Sequence, residues 1–488
     1  METLQYVLQV FTPENLWVLL IGVIGGTVIG ALPGLTATMG VALLIPMTFG
    51  MTPVMGLNML LGIYIGGIYG GCISSILVKT PGTPASAATV LDGYPLAQKG
   101  EAKKALGMAT MASFIGGVVS SVILVLMAPM LAEWALKFGP PEYFAVAMLG
   151  LACIASISGK SMLKGVIASI FGMALGMIGM DPIAGIPRFT FDSVDMMGGM
   201  ALIPTLVGFF AITEVLAKAD DLGREKPGEI GQVKEVIPKM SDLLAAKWTL
   251  IKSTMIGIII GAIPGTGPTI ASWMSYNEAK RGSKHPEEFG HGSAEGVMAC
   301  ESANNAVTGG ALIPLLTLGI PGDGVTAVLL GALMIQGLTP GPMMLSEKYD
   351  LVAVFLWVLI FANLFMLAIG LLGSKLFPII LRMPMQILVP LIVVLCIAGS
   401  YASNNSFFDV KVAVVLGTVG FVMLKCGFPV APIVLGYILG PIIEPNFRLA
   451  MIGSGMDPTV FFTNPLSCFF LVLAVVLSAL IYRRMNAS

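Results

Sequence analysis

The chain has 488 residues, of which 56% are hydrophobic and 11% charged, and its mean hydropathy is +0.92. Soluble domains carry about 25% charged residues, so this composition excludes a soluble globular protein and predicts a membrane protein. The formal net charge of -1 argues against a general nucleic-acid-binding surface.

Six cysteines are spread through apolar segments, at Cys72, Cys153, Cys300, Cys396, Cys426 and Cys468. They form no CxxC pair and have no neighbouring histidine cluster, so we predict neither a disulfide framework nor a metal site. The first 78 residues contain no Lys or Arg and therefore lack the basic region of a cleavable signal peptide. We expect the first apolar segment to remain in the mature protein.

In chain order, the apolar pattern forms two halves separated by a hydrophilic stretch. We expect a first membrane repeat at 1–217, a cytoplasmic linker at 218–248 and a second membrane repeat at 249–488. Each half is predicted to contain a Pro-Gly hairpin, then a broken apolar segment, then scaffold helices. The expected bounds are 15–50, 53–90 and 105–217 in the first half, and 249–278, 295–340 and 351–482 in the second.

The two halves repeat two helix-breaking motifs in the same order. Residues 29–38 have the sequence IGALPGLTAT and residues 260–269 have IGAIPGTGPT, with six identities in ten positions. Farther along, KTPGTP at 79–84 corresponds to GIPGDG at 319–324. The offset is 231 residues for the first motif and 240 for the second. Two ordered matches at nearly constant offset predict a duplicated architecture.

The positions of Lys and Arg predict the topology, because these residues concentrate in cytoplasmic loops. With the N-terminus periplasmic and the C-terminus cytoplasmic, loops 91–104, 158–164, 218–252, 279–294 and 374–386 lie inside. Of the 26 Lys and Arg residues, only five then lie outside, namely Lys137, Arg188, Lys348, Lys411 and Arg448. In this layout the first hairpin enters from the periplasm and the second from the cytoplasm.

The arms of the second hairpin are too short to cross about 30 Å of hydrocarbon. We therefore expect re-entrant hairpins with Pro33-Gly34 and Pro264-Gly265 at their tips, the alternative being tilted full spans. The predicted fold class is an all-α polytopic membrane protein with about 11–12 transmembrane helices plus re-entrant hairpins, arranged as an inverted-topology repeat.

Proline and glycine at membrane depth free backbone groups, which are tolerated only inside protein or beside a water-filled cavity. Paired broken helices of this kind bind anions at helix N-termini and cations at freed carbonyls. We predict that substrate contacts Pro33, Gly34, Thr36, Thr38, Lys79, Thr80, Gly82, Thr83, Gly265, Thr266, Thr269, Asn304 and Asn305. The coupling ion, Na⁺ or H⁺, is expected at Ser74, Ser75, Gly322 and Asp323.

Each of these residue types also has a structural interpretation, which the sequence leaves open. Ser and Thr hydroxyls satisfy helix backbones or pack small faces in membranes, and adjacent asparagines bond between helices. Lys79 either pairs with a substrate carboxylate or extends to the cytoplasmic interface. Glu301 is functional by default at membrane depth, unless the nearby cytoplasmic loop leaves it solvated.

Enzyme chemistry is not expected. The sequence contains no HExxH, GxSxG or Walker pattern in a suitable context, and no constellation of nucleophile and base. Its only histidines, His285 and His291, fall in a hydrophilic loop, which argues against an intramembrane histidine relay. We predict no catalytic residue and no cofactor beyond the coupling ion.

At these motifs the chain resembles the large membrane subunit of the tripartite tricarboxylate transporters, the TctA family. The matching segments lie in both halves, at 30–37, 79–85, 92–95, 261–265, 301–306 and 319–322. The resemblance implies a bacterial inner-membrane permease driven by an ion gradient. It implies a small membrane subunit and a periplasmic binding protein as partners, and a tricarboxylate such as citrate, a dicarboxylate or an aromatic acid as substrate. An anion channel is the alternative function, since broken helices also build filters.

Overall fold

The structure is a computed structural model that describes residues 8, 10–33, 35–48, 50–135, 137–157, 161–221, 240–338, 340–341, 344, 349–373, 376–381 and 385–486. Gly34 and most of the predicted linker at 218–248 lie outside these residues. The described chain is almost entirely helical, and its one sheet is a two-stranded antiparallel hairpin. The prediction of an all-α polytopic membrane protein is confirmed.

The helices of the first half are α1 (Pro13–Ala31), α2 (Ala37–Leu44), α3 (Pro53–Leu77), α4 (Val90–Gln98), α5 (Ala102–Ala135), α6 (Pro140–Ile157), α7 (Met162–Gly176), α8 (Val194–Met197), α9 (Leu202–Leu206) and α10 (Thr213–Asp221). A π-helical segment (Val207–Ile212) joins α9 to α10, and 3₁₀ turns occur at Ile45–Thr48 and Pro84–Ala87. Strands β1 (Gly179–Met180) and β2 (Pro187–Arg188) pair between α7 and α8.

The helices of the second half are α11 (Met240–Ala245), α12 (Lys247–Ala262), α13 (Gly267–Gly282), α14 (Ala294–Leu318), α15 (Gly324–Ile335), α16 (Tyr349–Leu372), α17 (Phe377–Ile380), α18 (Met385–Asn404), α19 (Phe407–Lys425), α20 (Val430–Gly453), α21 (Val460–Thr463) and α22 (Pro465–Asn486). A 3₁₀ turn at Pro286–Glu288 precedes α14.

Seven helices among the described residues are long and apolar enough to cross a membrane, namely α1, α3, α5, the run Leu202–Asp220, α16, α19 and α20. Four shorter apolar helices lie within α7, α15, α18 and α22. The arms of the second hairpin, α12 and α13, have 16 residues each, about 24 Å at the helical rise. Each arm of the second hairpin is therefore too short for a full span, whereas α1, the first arm of the first hairpin, has 19 residues and is long enough.

Glycines let the first arm of each hairpin approach a central helix at backbone distance. A methyl group on Gly26 of α1 would lie 2.3 Å from the carbonyl oxygen of Ile63 of α3. A methyl group on Gly257 of α12 would lie 2.4 Å from the carbonyl oxygen of Ala303 of α14. The two glycines are 231 residues apart and their two partners are 240 residues apart, which are the offsets of the motifs. The same two offsets relate the contact of Gly30 with Gly67 to the contact of Gly261 with Val307.

The two halves are interleaved around α3, α5 and α14. Helix α5 of the first half packs along α14 of the second, so closely that a methyl group on Gly116 would lie 2.1 Å from the carbonyl oxygen of Ser302. The core around these helices includes the fully buried side chains of Tyr64 and Tyr69. Because such close packing fixes backbone positions, the central helices form a rigid frame for the breaks.

Contacts also join the loops at each end of the molecule. At one end, Asp92 Oδ1 accepts hydrogen bonds from the amides of Gly290, Gly292 and Ser293 at 2.8, 2.9 and 2.9 Å. Lys99 Nζ lies 2.8 Å from the carbonyl oxygen of His291. These bonds tie α4 and its C-cap residue Lys99 to the loop before α14.

Elsewhere, a network of four charged residues ties the β1–β2 hairpin to α20. Arg448 bonds Asp181 at 2.8 Å and Glu444 at 2.8 Å, and Arg188 bonds Glu444 at 2.7 Å. The backbone amide of Ala184, together with Arg448, holds the pKa of Asp181 well below its usual range. The hairpin is therefore anchored by ionised groups.

Candidate functional site

The two hairpin tips have different turns. In tip one, α1 ends at Ala31 and α2 begins at Ala37, with Thr36 as its N-cap residue. In tip two, α12 ends at Ala262 and α13 begins at Gly267. Gly265 has a φ of +80°, in the left-handed region that glycine adopts without steric cost.

Each half also contains a break after its central helix. Break one follows the end of α3 at Leu77 and comprises residues 78–83. Break two follows the end of α14 at Leu318 and comprises residues 319–323. Asp323 is the N-cap residue of α15, and its Oδ1 accepts hydrogen bonds from Thr326 N and Oγ1, both at 2.8 Å. Both breaks have their final residues buried.

Each tip packs against the break of its own half. The amide of Gly265 donates a hydrogen bond of 2.8 Å to the carbonyl oxygen of Gly322. A methyl group on Gly82 would lie 2.2 Å from the carbonyl oxygen of Gly30, and one on Gly322 would lie 2.9 Å from that of Gly261. Only glycine permits this approach, so the PG pairs of both breaks have a steric role.

The tips of both halves meet at break two. A methyl group on Gly324 would lie 3.5 Å from Thr38 Oγ1 of tip one. A methyl group on Gly267 of tip two would lie 3.6 Å from Asp323 Cβ. Helix α2 packs against α15, while α13 packs against the 3₁₀ turn that follows break one. The second arm of each hairpin therefore contacts the opposite half.

The four predicted tip threonines divide into two pairs. Thr36 Oγ1 accepts a hydrogen bond from Met39 N at 3.2 Å, and Thr266 Oγ1 donates to the carbonyl oxygens of Ile260 and Ile263. Thr38 and Thr269 are half-buried, and their side chains form no hydrogen bond within the described residues. Their hydroxyls are free to bind a ligand. Pro33 is also half-buried at tip one.

Several buried polar atoms of the central helices and break two lack a hydrogen-bond partner among the described residues. They include Asp323 Oδ2, Tyr64 Oη and Asn304 Oδ1. Their side chains are 3%, 0% and 0% exposed, and Tyr64 lies within electrostatic range of Asp323. Buried polar groups without partners are rare and indicate contact with water, an ion or a ligand.

Tyr64 was missed by the sequence analysis, although a signal for it existed. It precedes Asn304 by 240 residues, the offset that relates the central helices α3 and α14. Applying that offset to each predicted site residue would have identified Tyr64 as the counterpart of Asn304.

The hydroxyls around break one bond mainly to the backbone. Ser75 Oγ donates to the carbonyl oxygens of Gly71 and Ser86 at 3.0 and 2.9 Å, and Ser74 Oγ donates to Gly71 at 3.4 Å. Thr83 Oγ1 lies 3.2 Å from Ser86 Oγ. These buried residues hold break one against α3.

Lys79 and Thr80 lie at the exposed start of break one. The Lys79 ammonium group lies 5.7 Å from the centre of the Tyr94 ring, and Thr80 Oγ1 donates to the carbonyl oxygen of Val78 at 3.4 Å. In this arrangement the Lys79 side chain contacts a ring on α4 and faces solvent.

Asn304 and Asn305 belong to a buried polar network centred on Glu301. Thr89 Oγ1 donates to Glu301 Oε1 at 2.5 Å, and Asn304 Nδ2 donates to Oε2 at 3.2 Å. Asn305 Nδ2 donates to Ser113 Oγ at 2.8 Å. Glu301 is 0% exposed, so the hypothesis that the nearby loop solvates it is wrong.

The arrangement can bind charged ligands without covalent chemistry. It presents free hydroxyls, first-turn amides and one carboxylate oxygen around break two. Among the described residues, no group of three or more His, Cys, Asp or Glu side chains is placed to hold a metal ion.

A sequence profile of the tripartite tricarboxylate transporter TctA family matches residues 16–435. A protein of Agrobacterium vitis described as an uncharacterized 52.8 kDa protein in the TAR-I ttuC' 3' region is 41% identical over 478 residues, covering 96% of this chain and 94% of the relative. Another, described as an uncharacterized protein in the TAR-II ttuC' 3' region of the same organism, is 42% identical over 223 residues, covering 45% of this chain and 91% of the relative. No solved structure matches the chain. The chain belongs to the tripartite tricarboxylate transporter TctA family.

Proposed function

We propose that this chain is the permease subunit that imports a carboxylate through the bacterial inner membrane, driven by an ion gradient. The observation that carries the proposal is the meeting of both hairpin tips at break two, with the unbonded hydroxyls of Thr38 and Thr269 beside helix N-termini. The substrate class is a tricarboxylate such as citrate, or a related dicarboxylate or aromatic carboxylate, as expected for the family.

The tips suit an anionic substrate. Thr38 and Thr269 lie in the first turns of α2 and α13, where backbone N–H groups and the helix dipole favour negative charge. Neutral hydroxyl donors satisfy carboxylate oxygens without binding them as firmly as a cation does. A carrier must release its substrate, so such moderate binding favours transport.

Asp323 gives a reason for coupling to a cation. Two negative charges about 5 Å apart repel each other by about 3 kcal/mol at an effective dielectric constant near 20. A substrate carboxylate beside Asp323 therefore needs a cation on the unpartnered Oδ2 atom, because Thr326 donates only to Oδ1. We propose that this cation binds first and removes the electrostatic repulsion between Asp323 and the anionic substrate.

We further propose that the halves form an inverted repeat with the topology predicted from charge. The recurrence of tip, break and central-helix contacts at offsets of 231 and 240 residues supports the repeat. The layout is supported by the loop contacts. Asp92 and Lys99 contact 290–293, which the layout puts inside, and Arg188 contacts the helix of Arg448, which it puts outside.

The partners proposed are a small membrane subunit and a periplasmic binding protein that delivers the substrate. Family membership supports both, because the family is named for a three-part transporter.

The proposal is tested by uptake of radiolabelled citrate, succinate and benzoate derivatives into right-side-out vesicles containing this chain and the products of its neighbouring genes. We expect saturable uptake that stops when the sodium and proton gradients are both collapsed. Unchanged uptake without either gradient, or non-saturating conductance in planar bilayers, would refute the permease and favour the anion channel.

A further inference from the structure

We propose that Glu301 is a proton-binding group of this permease, separate from the cation position at Asp323, and that Asn304 links it to the substrate. The proposal rests on the transport function proposed above. It is carried by the burial of the Glu301 carboxyl, by its hydrogen-bond partners and by the absence of a positive charge beside it.

The Glu301 carboxyl is fully buried, and no Lys, Arg or His nitrogen of the described residues lies within 4 Å of it. The titratable groups that face it are Tyr69 and Cys72 on α3 and the neighbouring Cys300. A second carboxylate, Asp92, faces Cys300 and accepts hydrogen bonds from backbone amides. An ionised carboxylate in such surroundings lacks a counter-charge and is destabilised by its removal from water, so Glu301 binds a positive charge in part of the cycle.

The surroundings of the carboxyl favour a proton over a metal ion. Thr89 donates a hydrogen bond to Oε1 and Asn304 donates one to Oε2, while Ser113 of α5 contributes a further hydroxyl. A sodium or calcium ion needs several oxygen ligands around an open position. Here both oxygens already accept hydrogen bonds from neighbouring side chains. A proton needs no additional room.

Hydroxyl side chains recur at every third residue between the exposed start of break one and this carboxyl, at Thr80, Thr83, Ser86 and Thr89. The hydroxyls of Thr83 and Ser86 lie 3.2 Å apart, and that of Thr89 donates to Glu301. Thr80 is exposed, whereas the other three are buried. Hydroxyls both donate and accept hydrogen bonds, so this row suits the passage of a proton to Glu301 when water enters break one.

Asn304 connects the proton with the substrate. Its amide nitrogen donates to Glu301 Oε2, while its Oδ1 is one of the unpartnered buried atoms. A proton on Oε2 competes with the Asn304 amide for the same lone pairs and frees that side chain to turn. Protonation of Glu301 therefore changes what Asn304 presents to a ligand.

The first test is infrared spectroscopy of the purified full-length chain in nanodiscs across pH, which needs no partner subunit. We expect a protonated-carboxyl band that titrates in the wild type and disappears in Glu301→Gln. Glu142→Gln is the matched control, because Glu142 is also buried but bonds Asn464 and the Gly139 amide, and it should keep the band. An unchanged band in Glu301→Gln would overturn the proposal.

The second test is uptake against a pH gradient in vesicles with the complete transporter. One transported proton multiplies the accumulation ratio about tenfold per pH unit, and Glu301→Gln should lose this factor while keeping substrate exchange. Persistence of the factor would overturn the proposal. If the wild type shows no uptake at all, the transport function fails, while the infrared result still decides the proton site.

If Glu301→Gln does not reach the membrane, Thr89→Ala replaces it in the infrared test. Removing the donor to Oε1 destabilises the ionised form, so the band should titrate at higher pH. An unshifted midpoint would count against the proposal.

Discussion

Replacing Thr269 by Ala tests whether the free hydroxyls at the tips bind substrate. The Thr269 hydroxyl forms no hydrogen bond within the described residues, whereas the Thr266 hydroxyl, in the same tip, donates to the carbonyl oxygens of Ile260 and Ile263. A hydrogen bond to a charged ligand contributes about 1.5–3 kcal/mol, which corresponds to about 10- to 150-fold in affinity. Thr269→Ala should therefore raise the KM for uptake by about that factor at unchanged protein stability.

Thr266→Ala is the matched control, and it should show the opposite pattern. Loss of the hydrogen bonds from the Thr266 hydroxyl costs about 0.5–1.5 kcal/mol and should lower the Tm in detergent by about 0.5–1.5 °C, with little change in KM. Both variants are compared by initial uptake rates and by fluorescence-detected size-exclusion melting. An unchanged KM in Thr269→Ala, or a larger KM change in Thr266→Ala, would refute the assignment of substrate binding to the free hydroxyls.

Three further predictions address packing, coupling and charge. Gly82→Ala should lower the Tm and uptake together, because overpacking costs about 1–3 kcal/mol. Gly25→Ala is the control and should change neither, because the added methyl group has no neighbouring atom within 4 Å. Equal melting curves for the two variants would contradict this prediction. Asp323→Asn retains an N-cap oxygen but no charge, so folded protein should lose ion-dependent accumulation; retained accumulation in vesicles would contradict this. Asp181→Asn should be less stable than wild type at pH 7. Because the folded-state pKa of Asp181 is depressed, that difference should shrink as pH falls below about 4; a constant difference in Tm across pH would contradict this.

Much of the architecture could be predicted from local sequence. Hydropathy alone predicts a polytopic helical membrane protein, because lipid requires every backbone group to be satisfied within helices. The PG motifs follow the ends of α1, α3, α12 and α14, since proline removes a helix hydrogen bond and its ring clashes with the preceding turn. The family follows from the same motifs.

The sequence did not predict which polar side chains lack a hydrogen-bond partner. Thr36 and Thr38 are residues of the same type at the same tip, yet Thr36 caps α2 and Thr38 does not. Ser74 and Ser75 were expected to hold an ion, and both hydroxyls donate to backbone carbonyls. Hydrogen-bond partners depend on local geometry, which residue type does not specify.

The amino-acid sequence by itself determined that this chain lies in a membrane, where its helices break and which transporter family it belongs to. Only the tertiary structure decided that both tips meet at break two and that Glu301 is buried with Thr89, 212 residues away in the chain. The reason is physical. Composition and helix breaks act through neighbouring residues, whereas the partners of a buried polar atom are set by how distant helices pack.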